Sequence, residues 1–208
     1  YAESIDTVRD NLLEVHPTIV TTVPRLFERI HSRIIKQVDA SPPARQRIFH
    51  WAVQVGKDFA RARRRGKVPT GLRFKHALAA KLAYSKLQER TGGRIRFFVS
   101  GGAALPRELG EFFEAVGIII LEGYGLTETS PVLTANRLDD YRFGTVGKAI
   151  PGVELKIAED GEILAKGPNI MRGYYNNPKA TEEVIDKDGW FHTGDIGMFD
   201  SEGHLMIT

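Results

Sequence analysis

The stretch GYGLTETSP, residues 123–131, directly follows the apolar run VGIIILE at residues 116–122. The apolar run reads as a buried strand, and the glycines that follow read as a hinged loop at its end. Within five residues that loop offers an aromatic ring (Tyr124), a hydroxyl (Thr127) and a carboxylate (Glu128). A loop with only a structural task has no use for that mixture. A site that holds a base, a phosphate and a metal ion does.

Working outward, RIRFFVS at 94–100 reads as a strand and GGAAL at 101–105 as a tight turn. Pro106 opens a helix with Leu109, Phe112, Phe113 and Val116 on one face, and Gly117 ends it before the next strand. A strand–helix–strand order with short connections implies parallel neighbours and a right-handed crossover. Ligands of such sheets sit at the carboxyl ends of the strands. Those ends carry SGGAAL and EGYGLTET, so the opening stretch lies where a crevice is expected.

Before this unit, IVTTV at 19–23 reads as a buried strand. Pro24 starts a helix with Leu26, Phe27, Ile30, Ile34 and Val38 at helical spacing, broken by SPP at 41–43. Two more helices are expected, over about 44–65 and 74–90, parted by GKVPTG. After it, from Gly144, short strand-like pieces (VELKIA, GEILAKG, HLMIT) alternate with turns (EDGE, KDGW, DSEG). One short helix begins at Pro178, capped by Asn177. The texture changes near Leu138–Phe143. The expected segments are therefore 1–93 (strand and helices), 94–140 (an α/β nucleotide-binding unit) and 141–208 (a β-barrel-like subdomain). The fold class is α/β, part of a doubly wound, mostly parallel sheet with preceding helices and a β-barrel-like subdomain after it.

Each candidate has a plainer reading. A turn with a core tyrosine and a solvated glutamate is the commoner loop, but the place after a buried strand, with SGGAAL beside it, favours a site. Tyr124 offers a flat face, on which stacking a base contributes about 1–3 kcal/mol. Thr127 offers a donor to a phosphate oxygen, and Glu128 the hard oxygen that magnesium takes alongside phosphates and water. In GWFHTGDIG at 189–197, Asp195 lies between Gly194 and Gly197 on backbone that can turn sharply, where a carboxylate can accept both hydroxyls of a ribose. A turn aspartate is the plainer alternative. His192, beside Trp190 and Phe191, reads as a packed or hydrogen-bonded histidine and not a general base.

Composition narrows the class. The 208 residues suffice for one large domain or two small ones, and 42% hydrophobic residues is ordinary for a globular chain. With no cysteine, disulfides and thiolate metal sites are excluded, which fits a cytoplasmic setting. A net charge of +3 gives no argument for nucleic acid. No apolar run approaches a membrane span. The first residue is Tyr1 and the last segment is HLMIT, so the chain is expected to be an internal piece of a longer protein. The basic run RARRRGK at 61–67 reads first as a solvated helix end, where cations suit the helix dipole. Contact with anionic lipid is the functional alternative.

SGGAAL, EGYGLTETSP, GEILAKGPNIMRGYYNNPKATEE and GWFHTGDIG, in this order and spacing, resemble the adenylate-forming superfamily of acyl-CoA synthetases, peptide-synthetase adenylation domains and firefly luciferase. The opening residues, YAESIDTVRDNLLEVHPTIVTTVPRLFERI, are similar to long-chain fatty acid–CoA ligases (acyl-CoA synthetases) in particular. The resemblance implies an acid–thiol ligase of fatty acid metabolism that uses ATP, magnesium and coenzyme A. It forms an acyl-adenylate and then a thioester. It further implies that Tyr124 stacks on adenine, Thr127 holds the α-phosphate and Glu128 coordinates magnesium. Asp195 would grip the ribose, and Gly101, Gly102 and Ala103 would line the adenine and acyl pocket with backbone. The implied partners are fatty acid, ATP and CoA, with no nucleic acid, peripheral membrane contact and a homodimer as further expectations. A fatty acyl-AMP ligase serving a carrier protein is an alternative. A non-catalytic nucleotide-binding or membrane-docking module is another. Two departures stand out. The family's hydroxyl-rich phosphate loop is absent, for neither VGKAIPG at 146–152 nor RRRGK at 63–67 has its hydroxyls, and the family's C-terminal domain with its lysine is expected to begin just after a segment like HLMIT, where this sequence stops. The piece by itself is expected to be inactive.

Overall fold

The structure is a computed structural model that describes residues 2–4, 6–89 and 91–208, with the side chain of Arg9 left aside. The chain forms two compact units, Tyr1–Ile120 and Leu121–Thr208.

The first unit begins with α1 (Val8–Val15), a helix that the sequence reading did not anticipate, closed by His16 in the left-handed conformation. β1 (Ile19–Thr22) lies parallel to β2 (Phe97–Ser100), Ile19 opposite Phe97 and Thr22 opposite Ser100. The Phe98 N–H donates to the Ile119 carbonyl at 2.8 Å, which carries the ladder on to the residues that enter β3 (Ile120–Tyr124). β1 was expected to be buried. Instead its residues alternate between exposed and half-buried, because β2 covers only one of its edges and its pleat turns every second side chain outward.

Between β1 and β2 run α2 (Pro24–Asp39), α3 (Pro43–Arg64), α4 (Thr70–Ala79) and α5 (Ser85–Glu89). α2 and α3 start at prolines, whose missing N–H costs nothing in a first turn. The expected helix over 74–90 begins earlier, at Thr70, and passes through a π-helical stretch, Ala80–Tyr84, before α5; its expected end at Arg90 lies outside the described residues. The wider turn brings Tyr84 inward, where its hydroxyl donates to the Ala52 carbonyl at 2.5 Å. Burial pushes the Tyr84 hydroxyl up from 10.0 to about 12.

After β2, α6 (Arg107–Ala115) presents Phe112 and Phe113 to the core and closes at Gly117, whose φ of 82° permits the left-handed stop the sequence called for. Phe27 packs edge-on against Phe98 and Phe113, with ring centroids 5.4 and 5.5 Å apart. α3 approaches α6 so closely at Gly56 that a Cβ there would collide with the Ala115 carbonyl.

The second unit is antiparallel. The end of β3 pairs with β4 (Thr134–Ala135), and β4 with β5 (Lys148–Ala149). A four-stranded sheet follows in the order β6 (Glu154–Ile157), β7 (Glu162–Lys166), β8 (Phe191–Phe199), β9 (Leu205–Ile207). Leu205 exchanges hydrogen bonds with Val146 and Gly147, both at 2.8 Å, so β9 curls back towards β5 and makes a half-barrel. α7 (Pro178–Val184) is capped as expected by the Asn177 side chain, which accepts from the Ala180 N–H. The fold is thus α/β, a helix-wrapped parallel strand pair of a doubly wound type and a barrel-like antiparallel subdomain.

Candidate functional site

In the second unit, β3 does not stop where the glycines begin. It runs through Gly123 to Tyr124, so Tyr124 sits on the strand's last position and not on a loop. Gly123 pairs with Ala135 and Tyr124 with Thr134, and this ladder fixes the ring's direction. At Gly125 a Cβ would strike the Pro131 carbonyl, so the chain can turn back on itself only at glycine. The turn closes as a short 3-10 helix, Thr127–Thr129, stapled by the buried Thr129, whose hydroxyl accepts from the Leu126 N–H and donates to the Pro131 carbonyl, both at 2.9 Å. Thr129 is thus the structural threonine, while Thr127 is exposed on the same turn.

Asp195 was expected on a sharply turning segment. It lies inside the nine-residue strand β8, at a bulge. Glu162 stands opposite Ile196 and Leu164 opposite His192, so three residues, Thr193, Gly194 and Asp195, face the single residue Ile163. Gly194 takes a φ of 73°, which the bulge requires and glycine allows. The bulge is held by Glu162, which accepts from the Gly194 N–H at 2.8 Å and meets His192 Nδ1 at 2.7 Å. His192 is therefore the hydrogen-bonded histidine the sequence suggested.

The fold brings Tyr124 and Asp195 together across 71 positions of sequence: the Tyr124 hydroxyl donates to Asp195 Oδ2 at 2.7 Å. Burial first, and then the nearby Asp195 and Glu162 carboxylates, push the Tyr124 hydroxyl far above its usual range. Glu128 is matched in the same way. The Tyr174 hydroxyl donates to its Oε1 at 3.0 Å, and the Met171 N–H to its backbone carbonyl at 2.7 Å. Asn169 ties this neighbourhood down by donating to the carbonyls of Thr129 and Val132 at 2.8 and 2.9 Å.

Tyr174, Asn169 and Glu162 were not singled out from the sequence. Glu162 reads there as one polar residue of an alternating strand, and Tyr174 as half of a turn-like YYNN. Gly101, Gly102 and Ala103 belong to the first unit, directly after β2, with Gly102 at a φ of 78°.

Among the described residues no cluster of three or more histidines and carboxylates could by itself enclose a metal ion. Glu128, half-buried and with one oxygen committed to Tyr174, still offers a hard oxygen ligand beside the exposed Thr127 hydroxyl. That donor set suits magnesium, which binds one or two carboxylates together with substrate phosphates and water.

Residues 2–175 match the family model described as AMP-binding enzyme. The chain is 41% identical over its whole length to the long-chain-fatty-acid–CoA ligase FadD15 of Mycobacterium bovis, of which it covers 34%. It is 37% identical, over 95% of its length, to the peroxisomal long chain acyl-CoA synthetase 6 of Arabidopsis thaliana, covering 29% of that protein. The chain thus spans about a third of the length of these curated relatives. Among solved structures it resembles ATP-bound MatB from Rhodopseudomonas palustris, with a TM-score of 0.64 and 26% identity over 98% of this chain and 32% of that one. The chain belongs to the AMP-binding enzyme family.

Proposed function

We propose that the protein carrying this chain is an ATP-dependent long-chain fatty acid–CoA ligase, with residues 94–140 as its nucleotide-binding unit and 141–208 as a β-barrel-like subdomain that contributes Asp195. In the first step a carboxylate oxygen of the fatty acid attacks the α-phosphorus of ATP. The bond from that phosphorus to the bridging oxygen breaks, and pyrophosphate leaves with the electron pair. In the second step the CoA thiolate attacks the acyl carbonyl, and AMP departs with the acyl–oxygen electrons.

Each residue has a part in this scheme. Tyr124 presents its ring to adenine, with its hydroxyl already committed to Asp195. Asp195 keeps Oδ1 for the ribose hydroxyls. Thr127 donates to the α-phosphate. Gly101, Gly102 and Ala103 line the adenine and acyl pocket with backbone. Glu128 holds magnesium, which when bound neutralises phosphate charge as the two anions meet. Proximity and fixed electrostatics are what this chemistry requires of a protein.

The observation that carries the reading is the Tyr124–Asp195 hydrogen bond, which joins a base platform and a ribose acceptor drawn from two distant motifs. The test uses the full-length protein. Pyrophosphate–ATP exchange should depend on added long-chain fatty acid, and AMP release should then depend on CoA. Exchange without CoA-dependent turnover would make it a fatty acyl-AMP ligase. No exchange with any fatty acid would make it a binding module and end the proposal. A cytoplasmic location with peripheral membrane contact, and pairing of two copies, belong to the same proposed picture. No described helix is long and apolar enough to cross a membrane.

A further inference from the structure

The helical layer of the first unit carries a surface that the catalytic reading leaves unused. Between Phe59 and Gln88 there are nine arginines and lysines and no aspartate or glutamate. The basic run at the end of α3 opens this stretch, but its members are not equivalent. Arg64 is committed to Glu114 through two hydrogen bonds of 3.0 and 2.8 Å, and Arg61 faces Asp58 at 3.8 Å. Arg63, Arg65 and Lys67 stand exposed at the turn into α4.

α4 and the π-helical stretch after it are unusual for a surface run. Phe74 and Leu78 of α4 are 74% and 42% exposed and Leu82 of the π-helical stretch 44%, each four residues after the last. Helical spacing of four puts apolar side chains on one face. The same helical run buries Ala79 and Tyr84 inward, so its core-facing side is already satisfied and the outward apolar stripe is additional. Arg73, Lys75 and Lys81 flank the stripe, all exposed. Beside Leu82 a groove of mixed lining takes in Ile48, Phe49 and Leu87 together with Arg45 and Lys86.

A stripe of exposed apolar side chains whose charged neighbours along the described run Phe59–Gln88 are all cations matches one occupant in its chemistry. A bilayer surface offers apolar depth to Phe74, Leu78 and Leu82 and anionic headgroups to the rim. A highly acidic soluble partner would account for the charge but leave Phe74, Leu78 and Leu82 in water. We propose that the α3–α4 turn, α4 and the π-helical stretch after it form a docking face for anionic phospholipid, with Phe74, Leu78 and Leu82 entering the headgroup region. This deepens the proposed membrane contact and rests on it, while standing apart from the catalytic roles.

The experiment is co-sedimentation of the full-length protein with vesicles of phosphatidylcholine alone, and of phosphatidylcholine with an equal part of phosphatidylglycerol. Binding should be confined to the anionic vesicles and should fade with salt. Replacing Arg63, Arg65 and Lys67 by alanine should weaken it by about fivefold per charge, roughly a hundredfold together. Replacing Phe74, Leu78 and Leu82 by serine should weaken it more than about tenfold with the circular dichroism spectrum unchanged, since these side chains are exposed already. Phe74→Trp should bring a blue shift of emission on anionic vesicles only. Absence of binding to either vesicle would overturn the membrane contact itself. Binding to anionic vesicles that the serine variant retains in full would overturn this face and leave membrane contact to another surface. A soluble dimer that the serine variant dissociates, without lipid binding, would give the stripe to a second copy and refute the proposal.

Discussion

Tyr124→Phe isolates the one bond on which the proposed nucleotide site turns. The substitution keeps the ring, and with it any stacking on adenine, and removes only the hydroxyl that meets Asp195 Oδ2 at 2.7 Å. A hydrogen bond to an ionised acceptor contributes about 1.5–3 kcal/mol. Both side chains are half-buried, so water competes for the freed carboxylate and the lower end of that range applies. About 1–2 kcal/mol corresponds to roughly a five- to thirtyfold rise in KM for ATP. The KM for fatty acid should not follow, because the hydroxyl orients the ribose acceptor and touches nothing expected to hold the acyl chain. Pyrophosphate–ATP exchange by the full-length protein measures both constants. Asp195→Asn should cost at least as much, and the double variant should be little worse than Asp195→Asn alone, a coupling of about 1 kcal/mol. Strict additivity of the two changes would refute the reasoning. So would equal movement of both KM values, since a carboxylate that merely holds the strand would loosen the whole site.

Other expectations are as direct. Glu128→Gln should lower exchange at least about a hundredfold with the melting temperature unchanged, and a near-normal rate would remove the metal role from Glu128. Gly56→Ala forces α3 away from the Ala115 carbonyl and should destabilise the protein by about 1–3 kcal/mol in urea titration; an unchanged midpoint would show that the close approach is dispensable. Tyr84 titrates near 10.0 when unfolded and near 12 when folded, so the folded state keeps a proton that the unfolded state has lost between those values. Its contribution is full below about pH 10 and falls by about 2–3 kcal/mol as pH rises through 12. Tyr84→Phe should flatten that alkaline loss, and an identical slope in both proteins would assign it to other groups.

The sequence was legible where local chemistry decides. Pro24, Pro106 and Asn177 marked helix starts, Gly117 marked a stop, and the structure has each of them. Tyr124 and Asp195 could be singled out from their glycine-flanked motifs, and the fold brings the two into hydrogen-bond contact. Three things were not legible. α1 has a weakly patterned sequence, and of its described side chains only Leu12 is buried. Strand β8 was hidden by its own glycines: Gly194 looks like a turn residue, and its left-handed backbone is used for a bulge within a strand. Tyr174, Asn169 and Glu162 lie within GEILAKGPNIMRGYYNNPKATEE, but nothing in that stretch names their partners 46, 40 and 32 positions away. Such long-range pairing leaves no trace in periodicity.

The two candidate ligand carboxylates are held by the same device, and its chemistry explains why distant motifs come as a set. Tyr124 donates to Asp195 and Tyr174 donates to Glu128, each to one oxygen, leaving the other for substrate or metal. A lysine or arginine there would orient the carboxylate equally well but would cancel its charge, weakening its pull on a cation or a ribose hydroxyl. A phenol fixes the rotamer without spending that charge, provided it stays protonated. Both do: burial foremost raises Tyr124, and the bond to Glu128 foremost raises Tyr174. The backbone beneath is fixed in the same spirit. Glu162 pins the Gly194 N–H, and Asn169 and the Met171 N–H pin the Thr127–Thr129 turn. The segment from Asn169 to Tyr174 is thus the brace for Glu128, and the bulge of β8 is the brace for Asp195. A change in either brace should act on nucleotide handling while leaving every expected ligand in place.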